Sequence, residues 1–349
     1  MSNLHRQFAT LAVHAGEHGP KPDFIPVTTP VHHAVAYYYE DTSTLDAVFG
    51  NEREGYVYHR FGNPTVTAFE RAVAALEGGE AALAFASGLG AVHASLLAAG
   101  ARAGTGLVVS QDCYGATYAL AERLLTAQGV RVRFVDVADL DAVEEALAEV
   151  QAVALFLETI SNPLLKVADV PRLTEVAHAA GAQVIVDNTF ATPCLFRPLE
   201  HGVDYVVHSA TKYLGGHGDA MGGVVVSDAA GRQRLFELTK LLGSILGPQE
   251  AWLLHRGLKT LPLRFRQQCH NAQTVARWLT TQPRVAQVYY PGLTTHRQHP
   301  VAQRLFGAGG YGGMISFEIR QARQSDVFRF LDALQLVQPA TTLGDVYSL

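Results

Sequence analysis

The sequence predicts an α/β protein: a seven-stranded, mostly parallel sheet with helices on both faces, followed by a smaller α/β region. Three observations carry this expectation. Short apolar runs recur between about residues 65 and 227, with helical stretches separating most of them. The runs are apolar almost without interruption, as strands buried on both faces are. The texture then changes after Ser227.

Asn63-Pro64-Thr65 opens the first helix of this rhythm with a capping Asn and a Pro at its first position. Val66, Phe69, Val73 and Leu76 follow before Gly78-Gly79 stops it. The strand candidates are Ala82–Ala86, Leu107–Ser110, Val132–Val137, Ala154–Leu157, Val184–Asp187, Tyr205–His208 and Gly223–Val226. Helices are expected around Ala91–Ala99, Thr117–Gln128, Asp141–Val150 and Pro171–Ala180. Beyond Ser227 a long helical stretch spans Gln249 to Thr281, interrupted near Pro262. A strand (Val285–Tyr290), a glycine-rich strand (Gly312–Ile319) and a helix (Ser325–Leu334) follow. The expected organisation is an N-terminal arm (1–60), a large domain (61–245) and a small C-terminal domain (246–349), with no internal repeat.

At 349 residues the chain exceeds one ordinary core, which agrees with a large and a small domain. Hydrophobic residues at 48 % and charged residues at 17 % describe a well-buried globular protein. A net charge of −5 and the lack of a Lys/Arg run argue against nucleic acid and acidic membranes and favour a small-molecule partner. Cys113, Cys194 and Cys269 are too widely spaced for a disulfide framework or a CxxC metal site. The stretch Met1–Gly19 has no apolar signal-like core. A cytoplasmic protein is expected. No metal is expected either, since His32-His33 and His296/His299 lack Cys or acidic companions at ligand spacing.

In parallel α/β sheets ligands sit at the carboxyl ends of the strands. Three pieces of sequence fall there. Lys212 lies in His208-Ser209-Ala210-Thr211-Lys212, just past one strand, and a desolvated lysine can form a Schiff base with an aldehyde cofactor. Ser209 and Thr211 offer it a phosphate-binding pair of hydroxyls. Asp187 ends the preceding strand, where a buried carboxylate can keep a pyridine nitrogen protonated. Ala86-Ser87-Gly88-Leu89-Gly90 forms a strand-to-helix turn whose open amides suit a phosphate. Together they point to pyridoxal phosphate. Tyr114 could stack on the cofactor ring or simply pack at a strand end. Arg60, in Tyr58-His59-Arg60, could clamp a phosphate or lie on the surface, and the sequence leaves both pairs of alternatives open.

With Tyr58–Thr65, Ser87–Gly90, Tyr114–Thr117, Ser161-Asn162-Pro163, Val186–Thr189 and His208–Gly216 in view, the chain resembles the Cys/Met-metabolism (trans-sulfuration) family of fold-type-I pyridoxal-phosphate enzymes. The resemblance implies that Lys212 bonds the cofactor and shuttles protons, Asp187 holds the ring nitrogen and Tyr114 stacks on the ring. It implies phosphate binding by Gly88, Leu89, Ser209 and Thr211, a cofactor-binding place for Ser87, and a place for Asn162 near the phenolic oxygen. Tyr58 and Arg60 would serve a neighbouring subunit, making a homodimer or homotetramer with shared sites. The implied reaction is γ-elimination or γ-replacement on a sulfur amino acid or an O-acyl homoserine.

Departures from the family bear on substrate. Thr341 stands where cystathionine-handling members carry Glu, Thr342 matches a hydroxyl residue beside the substrate, and Ala116 stands where methionine γ-lyases carry Cys. The family's later R-L-S-x-G-x-E motif, whose Arg grips the substrate carboxylate, does not occur. On the sequence alone the small domain reads as incomplete, and the alternatives are a catalytically weak cofactor-binding homologue or an aminotransferase of the same fold.

Overall fold

The computed structural model describes residues 24–348. The first 23 residues, with the Met1–Gly19 stretch and the start of the expected arm, lie outside the described residues, as does Leu349. From Val31 onward the described residues belong to one compact unit. Helix α1 (Thr42–Phe49) is capped by Asp41 and falls within what the sequence suggested was only an arm.

Helix α2 (Pro64–Glu77) starts and stops where its signals stand. The Asn63 side chain accepts from the N–H groups of Thr65 and Val66, and Gly78 closes the helix in the left-handed conformation at φ 72°. Then come β1 (Ala81–Phe85), α3 (Gly88–Ala98), β2 (Gly106–Ser110) and α4 (Gly115–Ala119), which runs on as a π-helical turn, Leu120–Leu125. The chain continues through β3 (Arg131–Val135), α5 (Leu140–Val150), β4 (Ala152–Glu158), α6 (Val170–Ala179), β5 (Gln183–Asp187), β6 (Tyr205–Ser209) and β7 (Gly223–Ser227). All seven expected strands are present. They form one sheet in the order β1-β7-β6-β5-β4-β2-β3, with β7 alone running against its neighbours.

The second part contains α7 (Ala229–Leu242), α8 (Pro248–Leu258), α9 (Leu261–Thr280), β8 (Val285–Tyr289), α10 (His299–Phe306), β9 (Ser316–Ile319) and α11 (Gln324–Asp332). The break in the long helical stretch falls at Lys259-Thr260. Pro262 sits in the first turn of α9, where a missing N–H costs nothing. The glycine-rich strand is shorter than expected. Gly312 has φ +92°, outside strand geometry, so only Ser316–Ile319 pairs with β8. No helix among the described residues is long and apolar enough to cross a membrane.

Alternation along the strands divides the core in two. Leu155, Leu157, Val184, Val186 and Val206 face one side with Phe69, Val73 and Ala74 of α2. Ala154, Phe156, Ile185, Tyr205 and Val207 face the other with Ala91, Val92 and Leu96 of α3. Both faces are covered, which is why the strand sequences carry no polar alternation except in the edge strand β3, whose Arg131 and Arg133 are exposed.

Glu70 of α2 is buried against β1, where its Oε1 accepts from the N–H of Ala84 at 2.8 Å. Burial pushes its carboxyl up to about 7, while the Ala84 N–H, Arg232 and Arg71 pull it down. An acid whose pKa is raised by folding gives stability that is full below the ordinary 4.5 and is lost as pH rises through about 7. The loss should be roughly 3 kcal/mol. Glu70→Gln keeps an acceptor for Ala84, so its stability relative to the native protein should rise between pH 5 and pH 8. Denaturant unfolding at the two pH values checks this, and an equal difference at both would refute the titration.

Candidate active site

The parallel neighbours β4, β5 and β6 end side by side, with Glu158 opposite Asp187 and Asp187 opposite Val207. Strand parity sends Glu158, Asp187 and Ser209 to the α3 face. There they line a cavity of about 420 Å³, a size typical of small-molecule sites. Ser87, Gly88, Leu89, Tyr114, Asn162, Thr211, Lys212 and Thr342 line the same cavity. Ten of the twelve residues singled out from the sequence for cofactor or substrate therefore meet in one place: these eight with Asp187 and Ser209.

One end is a cradle of backbone amides. Ser87 caps α3 by accepting from the Gly90 N–H at 3.1 Å, and Ala91 N–H donates to the Ser87 carbonyl at 3.1 Å. The Gly88 and Leu89 N–H groups have no acceptor among the described residues, and they sit where the helix dipole favours an anion. Gly88 packs so closely on Ser209 that an added Cβ would stand 2.8 Å from Ser209 Cβ and 2.9 Å from its Cα. Ser209 is held by its own N–H, which donates to Thr189 Oγ1 at 2.8 Å. The Thr211 hydroxyl is engaged with Gly222, donating to its carbonyl at 3.2 Å and accepting from its N–H at 3.0 Å.

Lys212 sits in a turn pinned from behind. Its carbonyl accepts from Gly216 N–H at 2.8 Å, and Arg264 donates to the Tyr213 carbonyl at 3.0 Å and to the Gly257 carbonyl at 2.9 Å. Tyr213 is buried edge-on against Phe265. Gly344, at φ +82°, packs on the Lys212–Tyr213 backbone so closely that a Cβ would stand 2.8 Å from the Tyr213 nitrogen. This contact brings Thr342 over the cavity, where its Oγ1 accepts from Lys212 Nζ at 3.2 Å. Burial holds the Lys212 amine below the ordinary lysine range, with Asp345 pulling the other way.

The opposite end is acidic. Asp187 Oδ1 accepts from the Thr189 N–H at 2.9 Å and hydroxyl at 2.5 Å. Beside it is Glu158, which sequence reasoning missed. Its Oε1 accepts from Tyr114 N–H at 2.7 Å and its Oε2 from Asn162 N–H at 3.2 Å, so one side chain fixes two loops of the site. Burial raises both carboxyls, and the charge of Asp187 pushes Glu158 further up, against the N–H bonds that stabilise its ionised form. Two adjacent buried carboxyls do not both ionise cheaply. A protonated pyridine nitrogen placed among them would relieve that repulsion. The donor set therefore fits pyridoxal phosphate at both ends: amides and a hydroxyl for the phosphate, acids for the ring nitrogen, and a partly desolvated amine between them.

Tyr58 and Arg60 are not brought to this cavity. Arg60 stacks over Phe61 at 4.7 Å, donates to the Lys240 carbonyl at 2.5 Å and lines a different cavity with His59 and Glu70. Tyr114 begins α4 with its ring exposed toward the Lys212 cavity. Gly88→Ala tests the cradle. Overpacking against Ser209 should cost about 1–3 kcal/mol. Pyridoxal phosphate affinity, read by titration into cofactor-free protein, should fall by roughly tenfold or more. Unchanged affinity would show that Gly88 does not face the phosphate.

A family model described as Cys/Met metabolism PLP-dependent enzyme matches residues 9–349. The chain is 41 % identical over 350 residues to L-methionine gamma-lyase of Pseudomonas putida, covering 100 % of this chain and 86 % of the relative. It is 40 % identical over 342 residues to cystathionine gamma-lyase of Bacillus subtilis (strain 168), covering 97 % and 86 %. Among solved structures, a Campylobacter jejuni protein described as an O-acetylhomoserine (thiol)-lyase superposes with a TM-score of 0.88 at 30 % identity, covering 92 % of this chain and 87 % of that one. Its position 205 is a pyridoxyl-lysine monophosphate.

Proposed function

The chain belongs to the Cys/Met-metabolism family of pyridoxal-phosphate-dependent enzymes, and from that premise we propose that it acts at the γ-carbon of a sulfur amino acid or an O-acyl homoserine, with Lys212 as the cofactor-bearing base. The observation that supports this is the meeting of Lys212, Asp187, Ser209 and the open amides of Gly88 and Leu89 around one cavity. We read residues 1–60 as an arm, 61–245 as the cofactor-binding domain and 246–349 as a small domain.

Bound there, pyridoxal phosphate supplies an electron sink that makes protons on the α- and β-carbons of an amino acid removable. Asp187, oriented by Thr189, would hold the ring nitrogen protonated. Gly88, Leu89, Ser87, Ser209 and Thr211 would fix the phosphate end, and Asn162 the phenolic edge. Lys212 would accept the α-proton at Nζ, give it back to the cofactor-bound substrate, and as a neutral amine again accept the β-proton. Its lowered pKa raises the fraction of neutral amine near pH 7, as a base requires. Thr342, 3.2 Å from Nζ, holds the amine when it is free. Tyr114 would stack on the ring and give its phenolic proton to the departing γ-group. With methionine the balance is one methanethiol, one 2-oxobutanoate and one ammonia from substrate and water.

Tyr58 and Arg60, lying apart from this chain's own cavity, are read as serving the cavity of a second copy, which makes the working unit a homodimer or a homotetramer. A cytoplasmic location is part of the same reading, supported by three free cysteines among the described residues. The test is product analysis with L-methionine, L-cystathionine and O-acetyl-L-homoserine offered separately. Release of 2-oxobutanoate and ammonia from one of them supports the reading. Transfer of the amino group to an added 2-oxo acid, with no loss of the γ-substituent, would refute it.

A further inference from the structure

Behind the cavity floor, on the opposite face of the sheet, lies a second polar cluster. Glu77, Thr159, Asn188 and His208 have no exposed surface. Glu77 Oε1 accepts from Asn188 Nδ2 at 3.0 Å and lies 2.6 Å from His208 Nε2. Asn188 Nδ2 also donates to the Phe196 carbonyl at 2.8 Å, and Asn188 Oδ1 accepts from the Thr159 hydroxyl at 2.7 Å. Three of these residues are chain neighbours of site residues. Thr159 follows Glu158, Asn188 follows Asp187, and His208 precedes Ser209. Because side chains alternate across a sheet, each pair sends one member to the cavity and the other to the cluster. One carboxylate at the end of α2 thus ties β5 and β6 directly, and β4 through Asn188.

The cluster is expensive. Glu77 occupies the last turn of α2, where the helix dipole disfavours an anion. Glu77 Oε2 and His208 Nδ1 have no hydrogen-bond partner among the described residues. The surroundings are apolar, with Val73, Ala74, Leu157, Val186 and Val206 in the same core layer. Replacing such a buried polar cluster with apolar side chains of equal volume is often neutral or stabilising. None of the four residues lines the Lys212 cavity. Their contribution is geometric, since a cofactor held at both ends tolerates displacements of only about 0.5 Å in its ligands.

We propose that Glu77, acting through His208 and Asn188, is a positioning residue that holds the ends of β4, β5 and β6 in the register at which Glu158, Asp187 and Ser209 meet one cofactor. The proposal rests on the reading of the cavity as the pyridoxal phosphate site.

The test compares native protein with Glu77→Leu, Glu77→Gln and Thr159→Val. Pyridoxal phosphate is titrated into the cofactor-free proteins, and their thermal midpoints are recorded separately. Uptake by the native protein checks the cavity reading by itself, and failure there sinks that reading before any variant is compared. Glu77→Leu should raise the dissociation constant roughly 10–100-fold, as loss of residues that orient ligands does elsewhere. Glu77→Gln, whose amide oxygen accepts the same two bonds, should stay within about threefold. Native affinity in folded Glu77→Leu, whatever its midpoint, would overturn the proposal. So would a Gln variant as weak as the Leu variant, because charge rather than register would then be at work. Should Glu77→Leu fail to fold, Thr159→Val decides: it removes one donor at constant shape, and a severalfold rise in the constant supports the proposal while no change overturns it.

Discussion

Replacing Lys212 by alanine is expected to leave the fold intact and remove turnover almost completely. Among the described residues the side chain makes one hydrogen bond, to Thr342, while the turn that carries it is held by backbone bonds and by Arg264 and Tyr213. The thermal midpoint should therefore stay near native. A positioned base contributes about 10²–10⁴-fold, and the lysine is proposed to hold the cofactor as well, so kcat should fall by roughly 10³-fold or more. Product release from the preferred substrate, with circular dichroism on the same samples, checks both halves. A variant that keeps more than about a tenth of native activity would move the base elsewhere.

Asp187→Asn should separate activity from stability in an unusual direction. Asparagine can still accept from Thr189 through its amide oxygen, so the loop is retained. The charge proposed to face the ring nitrogen is lost, and kcat should drop by about 10²–10³-fold, the scale of removing one electrostatic stabiliser. The same change also removes one of two adjacent buried acids. Burial raises the pKa of Asp187, and its charge raises that of Glu158. Cofactor-free Asp187→Asn should therefore be at least as thermally stable as the native protein. A marked loss of stability would mean that Asp187 holds the fold together rather than the cofactor.

Much of this arrangement was legible from residues alone. The central strands announced themselves because burial on both faces leaves no polar interruptions, and Lys212, Asp187 and Gly88 stand at or just past strand ends, where ligands bind. What stayed hidden has physical reasons. Glu158 ends an apolar run with no motif around it, and its partners are backbone N–H groups, one of them 44 positions away. Glu77 reads as an ordinary exposed acid at a helix end until the sheet closes over it. Helix α7 buries only Gly231, Leu235 and Thr239, one residue per turn, and α10 buries only Ala302 and Phe306. Stripes that thin carry too little periodicity to be read. Tyr58 and Arg60, expected to serve a neighbouring subunit, do not line the cavity of Lys212 within one chain.

The most direct test of the central claim is to saturate the native protein with pyridoxal phosphate, reduce it with borohydride and map the modified peptide by mass spectrometry. One pyridoxyl group per chain is expected, on Lys212, with the visible band of the bound cofactor lost on reduction. Modification of another lysine, or none at all, would contradict it.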